Sequence, residues 1–292
     1  MEPRFTLSCF LKHYSTDDKC LAEIVRVKYP NGIKCKKCKE ITSHFKIKGR
    51  KQYACQNCGT HVAPLSGTVF EKSTTPLTLW FYAMFLMIKT KSGVSAKQLE
   101  RELGVTYKTA WRVFKQIRIL MADQDLIPLD GDVEIDETFI GGKGINRMKT
   151  RFDDKPKQVV MGMVKRNGKA YLKHIENTGK WALIEQINKY VSPNARVITD
   201  EYGGYFQLRK LGYNHYSVNH KSNFKVGDIY TQNAENVWSH LKRGIFGVYR
   251  HVSAKHLQAY VNEFAFRYNN RKKNNEMFYI LLKQVALVKQ VS

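Results

Sequence analysis

Two Cys-x-x-Cys pairs, Cys35-Lys-Lys-Cys38 and Cys55-Gln-Asn-Cys58, stand sixteen residues apart, and no other feature restricts the folding of this chain so closely. Each pair sets two thiolates on one tight turn, and two such turns close a tetrahedron around a borderline-soft ion. The stretch between them holds short strand-like runs such as Phe45-Lys46-Ile47. It has too little apolar surface for a core of its own, so a bound ion would hold it together. With all four positions filled by protein, the expected ion is a structural Zn²⁺, because catalytic zinc keeps one position open for water. Cys9 and Cys20 read as ordinary thiols, and His44 and His61 are not needed as ligands. Cysteines paired in this way fit a reducing compartment rather than a disulfide framework.

At roughly 150 residues per domain, the 292 residues predict about two folded units, and the 43% apolar and 25% charged composition is that of a globular protein. Its 49 Lys and Arg against 25 Asp and Glu leave a net charge of +24. That surplus favours a polyanionic partner, with nucleic acid the first candidate. Residues 1 to 60 carry 13 basic and 5 acidic side chains and residues 202 to 292 carry 14 and 4, whereas Asp123 to Glu137 holds seven acids. The acids are gathered where the flanks are basic. The longest apolar run, Leu77 to Ile88, is far short of the ~20 residues of a membrane-crossing helix, and no apolar core follows Met1 as a secretory signal would require. The expected location is the cytoplasm, in association with the nucleoid.

Residues 1–70 read as a zinc ribbon with a helical lead-in. Thr74-Thr75-Pro76 reads as a helix start with a threonine cap. Within 74–122, a serine-capped helix from Ser95 closes at Gly104, a turn follows at Val105-Thr106, and a second helix runs from Tyr107 to Met121, which is helix-turn-helix grammar. Ala110, Val113, Phe114 and Ile117 fall on its inner face, leaving Lys108, Thr109, Arg112, Lys115 and Gln116 for a major groove. Ala122 to Asp130 reads as a linker. From 131 to 292 the order is three strands (Asp132–Ile140, Gln158–Val164, Lys169–Glu176), a helix (Thr178–Val191), a strand (Ala195–Glu201), a short helix (Gly203–Leu211), a strand (Asn214–His220) and a helix (Asn233–Gly244). Gly141 to Gly144 and a basic loop through Lys157 join the first two strands, and two closing helices follow, about Ala254–Asn269 and Asn275–Lys289. The expected class is α/β, with a ribonuclease H-like domain preceded by the zinc ribbon and the helix-turn-helix.

Alternation on the first strand puts Val133 and Ile135 on one face and Asp132, Glu134 and Asp136 on the other. Such a row of acids calls for a counter-charge, and hard oxygen ligands select Mg²⁺ or Mn²⁺. Asp200 closes the buried strand Val197-Ile198-Thr199, where parallel sheets place their chemistry. Glu235 opens a helix with Trp238, Ser239 and Lys242 on the same face. Three carboxylates from two strands and one helix could hold two ions ~3.5–4 Å apart, a geometry suited to phosphodiester cleavage.

At these residues the chain resembles the zinc-ribbon DDE transposases of the insertion-sequence family numbered fifteen-ninety-five, relatives of Merlin elements. The likeness is carried by the two Cys pairs, Val133-Glu-Ile-Asp-Glu-Thr-Phe-Ile-Gly-Gly142, Thr199-Asp-Glu-Tyr202 and Glu235-x-x-Trp238-Ser-x-Leu-Lys-Arg-Gly244, continued by Tyr249-Arg-His-Val-Ser253, Lys255-His-Leu257 and Glu263-Phe-Ala-Phe-Arg-Tyr-Asn269. The resemblance implies that Asp136, Asp200 and Glu235 are a catalytic triad. It implies that Lys242, with Arg243 beside it, contacts DNA near the scissile phosphate, and that the amino-terminal domains bind terminal inverted repeats. The implied function is a transposase that cleaves its element's ends with Mg²⁺ or Mn²⁺ and joins the 3′-hydroxyls to target DNA. The expected partners are the double-stranded element ends and target, bound by a homodimer or a larger assembly, and no membrane. The rival readings are a ribonuclease H-like nuclease or resolvase and a non-catalytic DNA-binding regulator.

Overall fold

A computed structural model describes residues 5–123, 126–141, 157–218 and 229–288. The chain forms two compact units, Met1–Gln124 with Lys273–Ser292, and Asp125–Lys272.

The first unit opens with α1 (Leu7–His13) and α2 (Asp17–Lys28), each begun by a threonine whose hydroxyl accepts an amide of the first turn, Thr6 from Cys9 and Thr16 from Lys19. A small antiparallel sheet follows in the order β1 (His44–Lys46), β2 (Tyr53–Cys55), β3 (His61–Val62). Lys46 and Lys51 fasten it to α2 through Asp18 and Asp17 at 2.8 and 3.3 Å. Next comes α3 (Leu77–Lys89), buried along most of its length. Pro76 sits at its cap position, and no threonine side chain caps it. Asp17 of α2 does so instead, accepting the Thr78 amide at 3.0 Å. Burial pushes the Asp17 carboxyl up, but hydrogen bonds from the Thr78 and Leu77 amides and Lys51 outweigh it and hold the group below its ordinary value.

After α3, Ser95 caps α4 (Ala96–Leu103), which ends at Gly104 with φ +63°, a left-handed conformation suited to glycine. Thr106 then caps α5 (Tyr107–Leu120), whose Ala110, Val113, Phe114 and Ile117 are buried as the helical period predicts. The expected 1–70 and 74–122 therefore share one compact unit. The chain's last helix, Met277–Leu287, also packs in this unit rather than with the domain that begins at 131. Its Phe278 is fully buried, with ring centroids 5.3–5.8 Å from Tyr14, Phe10 and Phe81. The reason is complementarity: an apolar face of Met277, Phe278, Leu281 and Val285 meets an aromatic surface built by α1 and α3.

The second unit is a five-stranded sheet built on β4 (Asp132–Ile140), β5 (Gln158–Lys165), β6 (Ala170–Ile175), β7 (Arg196–Asp200) and β8 (Asn214–Val218). Its spatial order is β6-β5-β4-β7-β8. β4, β5 and β6 form an antiparallel meander, and β7 and β8 run parallel to β4. One face packs under α6 (Lys180–Tyr190) through Val133, Ile135, Met161, Leu183 and Ile187. The other packs under α7 (Gln232–Arg243) and α8 (Ala254–Asn269) through Ile140, Val160, Trp238, Leu241 and Leu257. Because both faces are covered, β5 is apolar throughout its interior instead of alternating. The helix expected at Gly203–Leu211 is a 3-10 turn, Gly203–Tyr205, followed by hydrogen-bonded turns, since paired glycines make a poor helix start. Residues 142–156, which include most of the basic loop, and residues 219–220 at the end of the expected fifth strand lie outside the described residues.

Candidate active site

In the first unit, each cysteine pair wraps its knuckle in the same way. The amides of Lys39 and Gly59 donate to the carbonyls of Cys35 and Cys55 at 2.9 Å, and both residues take left-handed φ values of 66° and 71°. The four sulfurs lie within 4.8 Å of one another, with Cys35 to Cys58 at 3.5 Å and Cys38 to Cys55 at 3.9 Å. A tetrahedron of ~2.3 Å zinc–sulfur bonds requires sulfurs about 3.8 Å apart, so the quartet fits zinc. Hydrogen bonding to Thr60 brings the Cys58 thiol down to about 6, and Thr42 lowers Cys55, whereas its neighbours, Cys58 first, push Cys38 up to about 12. A cation among four thiolates removes that conflict.

The expected groove-reading face of α5 divides. Lys108 and Lys115 are exposed two turns apart on one stripe of the helix. Arg112 is exposed too, but its guanidinium donates to Ser73 Oγ at 2.8 Å and lies over the Trp80 ring. Thr109 bonds the capping Thr106, and Gln116 is half-buried with its carbonyl oxygen turned inside. Helical period alone cannot show these ties, because Ser73 and Trp80 lie more than 30 residues upstream.

In the second unit, β4 carries the acids. Asp132 and Glu134, expected to need a cation, are neutralised by protein: Arg166 donates to Asp132 Oδ2 at 3.2 Å and to Glu134 Oε1 at 2.8 Å, and Arg196 lies 3.7 Å from Asp132. The expectation fails for these two acids because a β5–β6 turn arginine, out of reach of any local pattern, folds back onto them. Asp136 differs. It is half-buried and accepts the Trp238 indole N–H at 2.8 Å and the Glu137 amide at 2.8 Å, and among the described residues no cation appears among its hydrogen-bond partners. Its carboxyl is pushed up, by burial first and then by the charges of Asp200 and Glu235, against the pull of those two hydrogen bonds. Three acids from β4, the end of β7 and the first turn of α7 thus share one electrostatic environment. They are spread wider than the cysteines, for among the described residues the quartet is the one group of three or more Cys, His, Asp or Glu whose ligand atoms all lie within 4.8 Å.

Glu137, on the other face of β4, had no assigned part. Tyr205 donates to its Oε1, and burial, with the charges of Asp136 and Asp200, raises the carboxyl to about 7 against that hydrogen bond. Trp238 reaches Asp136 because residue 162 is glycine: a Cβ there would lie 2.6 Å from the indole ring. The i, i+3 spacing of Glu235 and Trp238 was the available signal, but a β5 glycine is no local cue. Asp200 accepts the Tyr202 amide at 3.0 Å and Glu235 is exposed at the start of α7. Lys242 and Arg243 are exposed at the end of the same helix, Arg243 turned back to the Ser239 carbonyl.

Against known families, residues 128–269 match the ISXO2-like transposase domain and residues 15–61 match the transposase zinc-ribbon domain. The chain belongs to this transposase family. A protein of Halobacterium salinarum, described as an uncharacterized protein in transposable element ISH50, is 30% identical over 142 residues, 47% of each chain. The chain thus spans about half the length of that relative. An uncharacterized transposase-like protein of Haemophilus influenzae is 25% identical over 123 residues, 42% of this chain and 93% of that one. Among solved structures, a pre-cleavage Mos1 transpososome shares 12% identity over 73% of this chain and 79% of its own, at a TM-score of 0.26, and nothing here rests on that likeness. No described helix is long and apolar enough to cross a membrane.

Proposed function

We propose that the chain is an active DNA transposase: Asp136, Asp200 and Glu235 hold two divalent ions, Mg²⁺ or Mn²⁺, and act on the phosphodiesters at the ends of a mobile element. The observation that carries this reading is placement: Asp136 on β4, Asp200 at the end of β7 and Glu235 in the first turn of α7 stand near enough that the charges of the last two reach the Asp136 carboxyl, which burial raises first of all. Family membership supports it, as does the sheet, a three-strand meander extended by two parallel strands with helices on both faces, which we read as ribonuclease H-like.

When bound, the ions supply an activated oxygen nucleophile and stabilise the leaving oxygen. Asp136 is oriented for that task by the Trp238 N–H and by its neighbour's amide, and Asp200 by the Tyr202 amide. Lys242, two turns beyond Glu235, brings positive charge to the phosphate backbone, with Arg243 beside it. In the other unit, Zn²⁺ on Cys35, Cys38, Cys55 and Cys58 holds the ribbon. We read α4 and α5 as the helix-turn-helix, which meets the terminal inverted repeats through Lys108 and Lys115 foremost. Two ends must be brought together for joining, so at least a homodimer assembles on DNA.

Purified protein, Mg²⁺ and labelled element ends test the proposal. Cleaved ends and joined products are expected from the wild type and neither from Asp136→Ala. Cuts without joined DNA would point to a nuclease, and metal-independent binding without cutting would point to a regulator.

A further inference from the structure

The helix that brings Glu235 to the site does not cap itself. Thr231, at the start of α7, provides no side-chain bond to the first turn, yet the free amides of a helix N-terminus need acceptors. The acceptor comes from the sheet. Glu134, fully buried on β4, takes the amide of Asn233 at 2.8 Å and that of Ala234 at 3.2 Å on Oε2, and the Asn233 side-chain amide at 2.8 Å on Oε1. Arg166 closes the arrangement from the other side. It donates to Glu134 Oε1 at 2.8 Å, to Asp132 at 3.2 Å and to the Tyr230 carbonyl at 3.0 Å, with its guanidinium 3.8 Å above the Tyr230 ring.

This network has a particular address. Glu134 stands two residues before Asp136 on the strand, and Asn233 two residues before Glu235 on the helix. A buried carboxylate must have its partners in place, and the helix N-terminal amides supply both hydrogen bonds and a favourable dipole. Apolar packing of Ala234, Val237, Trp238 and Leu241 fixes which face of α7 is inward, but it is non-directional. A slip of one residue would turn Glu235 by ~100° and move it ~1.5 Å along the axis. The Glu134 bonds are directional and forbid that slip.

We propose that Glu134, with Asn233 and Arg166, is a positioning unit that sets the rotation and height of α7 on β4, and so places Glu235 relative to Asp136. The proposal rests on the reading of those two acids as metal ligands, and Glu134 itself touches neither ion nor DNA.

The test uses the zinc-loaded chain as wild type and as two variants, Glu134→Gln and Asn233→Ala, with Asp136→Ala as the control for the ion site. Three quantities are followed: hydrogen exchange of residues 231–240, Mn²⁺ affinity by electron paramagnetic resonance, and kcat and KM for end cleavage. Both variants are expected to keep their zinc and a cooperative melt. Both should exchange the first-turn amides of α7 faster and bind Mn²⁺ about tenfold or more weakly. The kcat should fall in step while KM for DNA stays within about twofold. Folded variants with wild-type Mn²⁺ affinity and kcat would overturn the proposal. Should Glu134→Gln fail to fold, Asn233→Ala decides, since it leaves the Glu134 to Arg166 pair intact. A different result, Mn²⁺ binding unaffected by Asp136→Ala, would remove the two-ion reading and the positioning proposal with it.

Discussion

The two units gather like charges in opposite ways. In the first, four thiols from two knuckles converge until all four sulfurs lie within 4.8 Å of one another, with no position left for a substrate. In the second, the charges of Asp200 and Glu235 reach Asp136, but the three acids are not gathered within 4.8 Å of one another, and Glu235 is exposed. A closed ligand set suits an ion that replaces a core; an open one suits ions that must also meet a phosphate. The surroundings agree. The ribbon's strands are three, three and two residues long, whereas the acids stand on a five-stranded sheet packed on both faces.

The largest expected effect separates the cysteine quartet from the acids. Stripping zinc with a strong chelator, or Cys58→Ser, should unfold the ribbon, because the ion contributes on the order of 10 kcal/mol to a fold of this kind. Circular dichroism and hydrogen exchange over residues 33–62 would show it, and a ribbon that stays protected without metal would erase the contrast. Next, Asp136→Ala should reduce end cleavage by at least ~10³-fold, while calorimetry finds the sheet unit no less stable, since a half-buried, repelled carboxylate has been removed. A melting temperature that falls with activity would mean that Asp136 is structural.

Acidification should move the units in opposite directions. Glu137 has its folded value raised to about 7 from 4.5, so the stability it contributes is present below the unfolded value and lost as pH rises through about 7. Without Mg²⁺ the sheet unit should gain up to about 3 kcal/mol between pH 8 and pH 5. Asp17 is depressed below 3.8, so its contribution in the first unit is present above that value and lost as pH falls through its folded value. Calorimetric scans resolving two transitions check both signs, and parallel shifts would break the comparison. The smallest effect is expected from Gly162→Ala, whose Cβ would press on the Trp238 ring. A loss of about 2 kcal/mol in the sheet unit is expected, together with a red-shifted or broadened tryptophan emission as the indole leaves Asp136. The first unit's transition should not move.

Local spacing was legible along the chain. Cys-x-x-Cys pairs make knuckles wherever they occur, the alternation of Asp132 to Ile140 splits its acids from its aliphatics, and Ser95, Gly104 and Thr106 bound their helices because caps act within one turn. Which of those groups meet across distance was settled by folding. It gave Asp132 and Glu134 to Arg166 and left Asp136 to Trp238, it capped α3 with Asp17 in place of a threonine, and it drew the last helix into the aromatic core of the first unit. Apolar burial and buried-charge pairing depend on complementary surfaces brought together from anywhere in the chain, and a period of two or 3.6 residues carries no record of the partner.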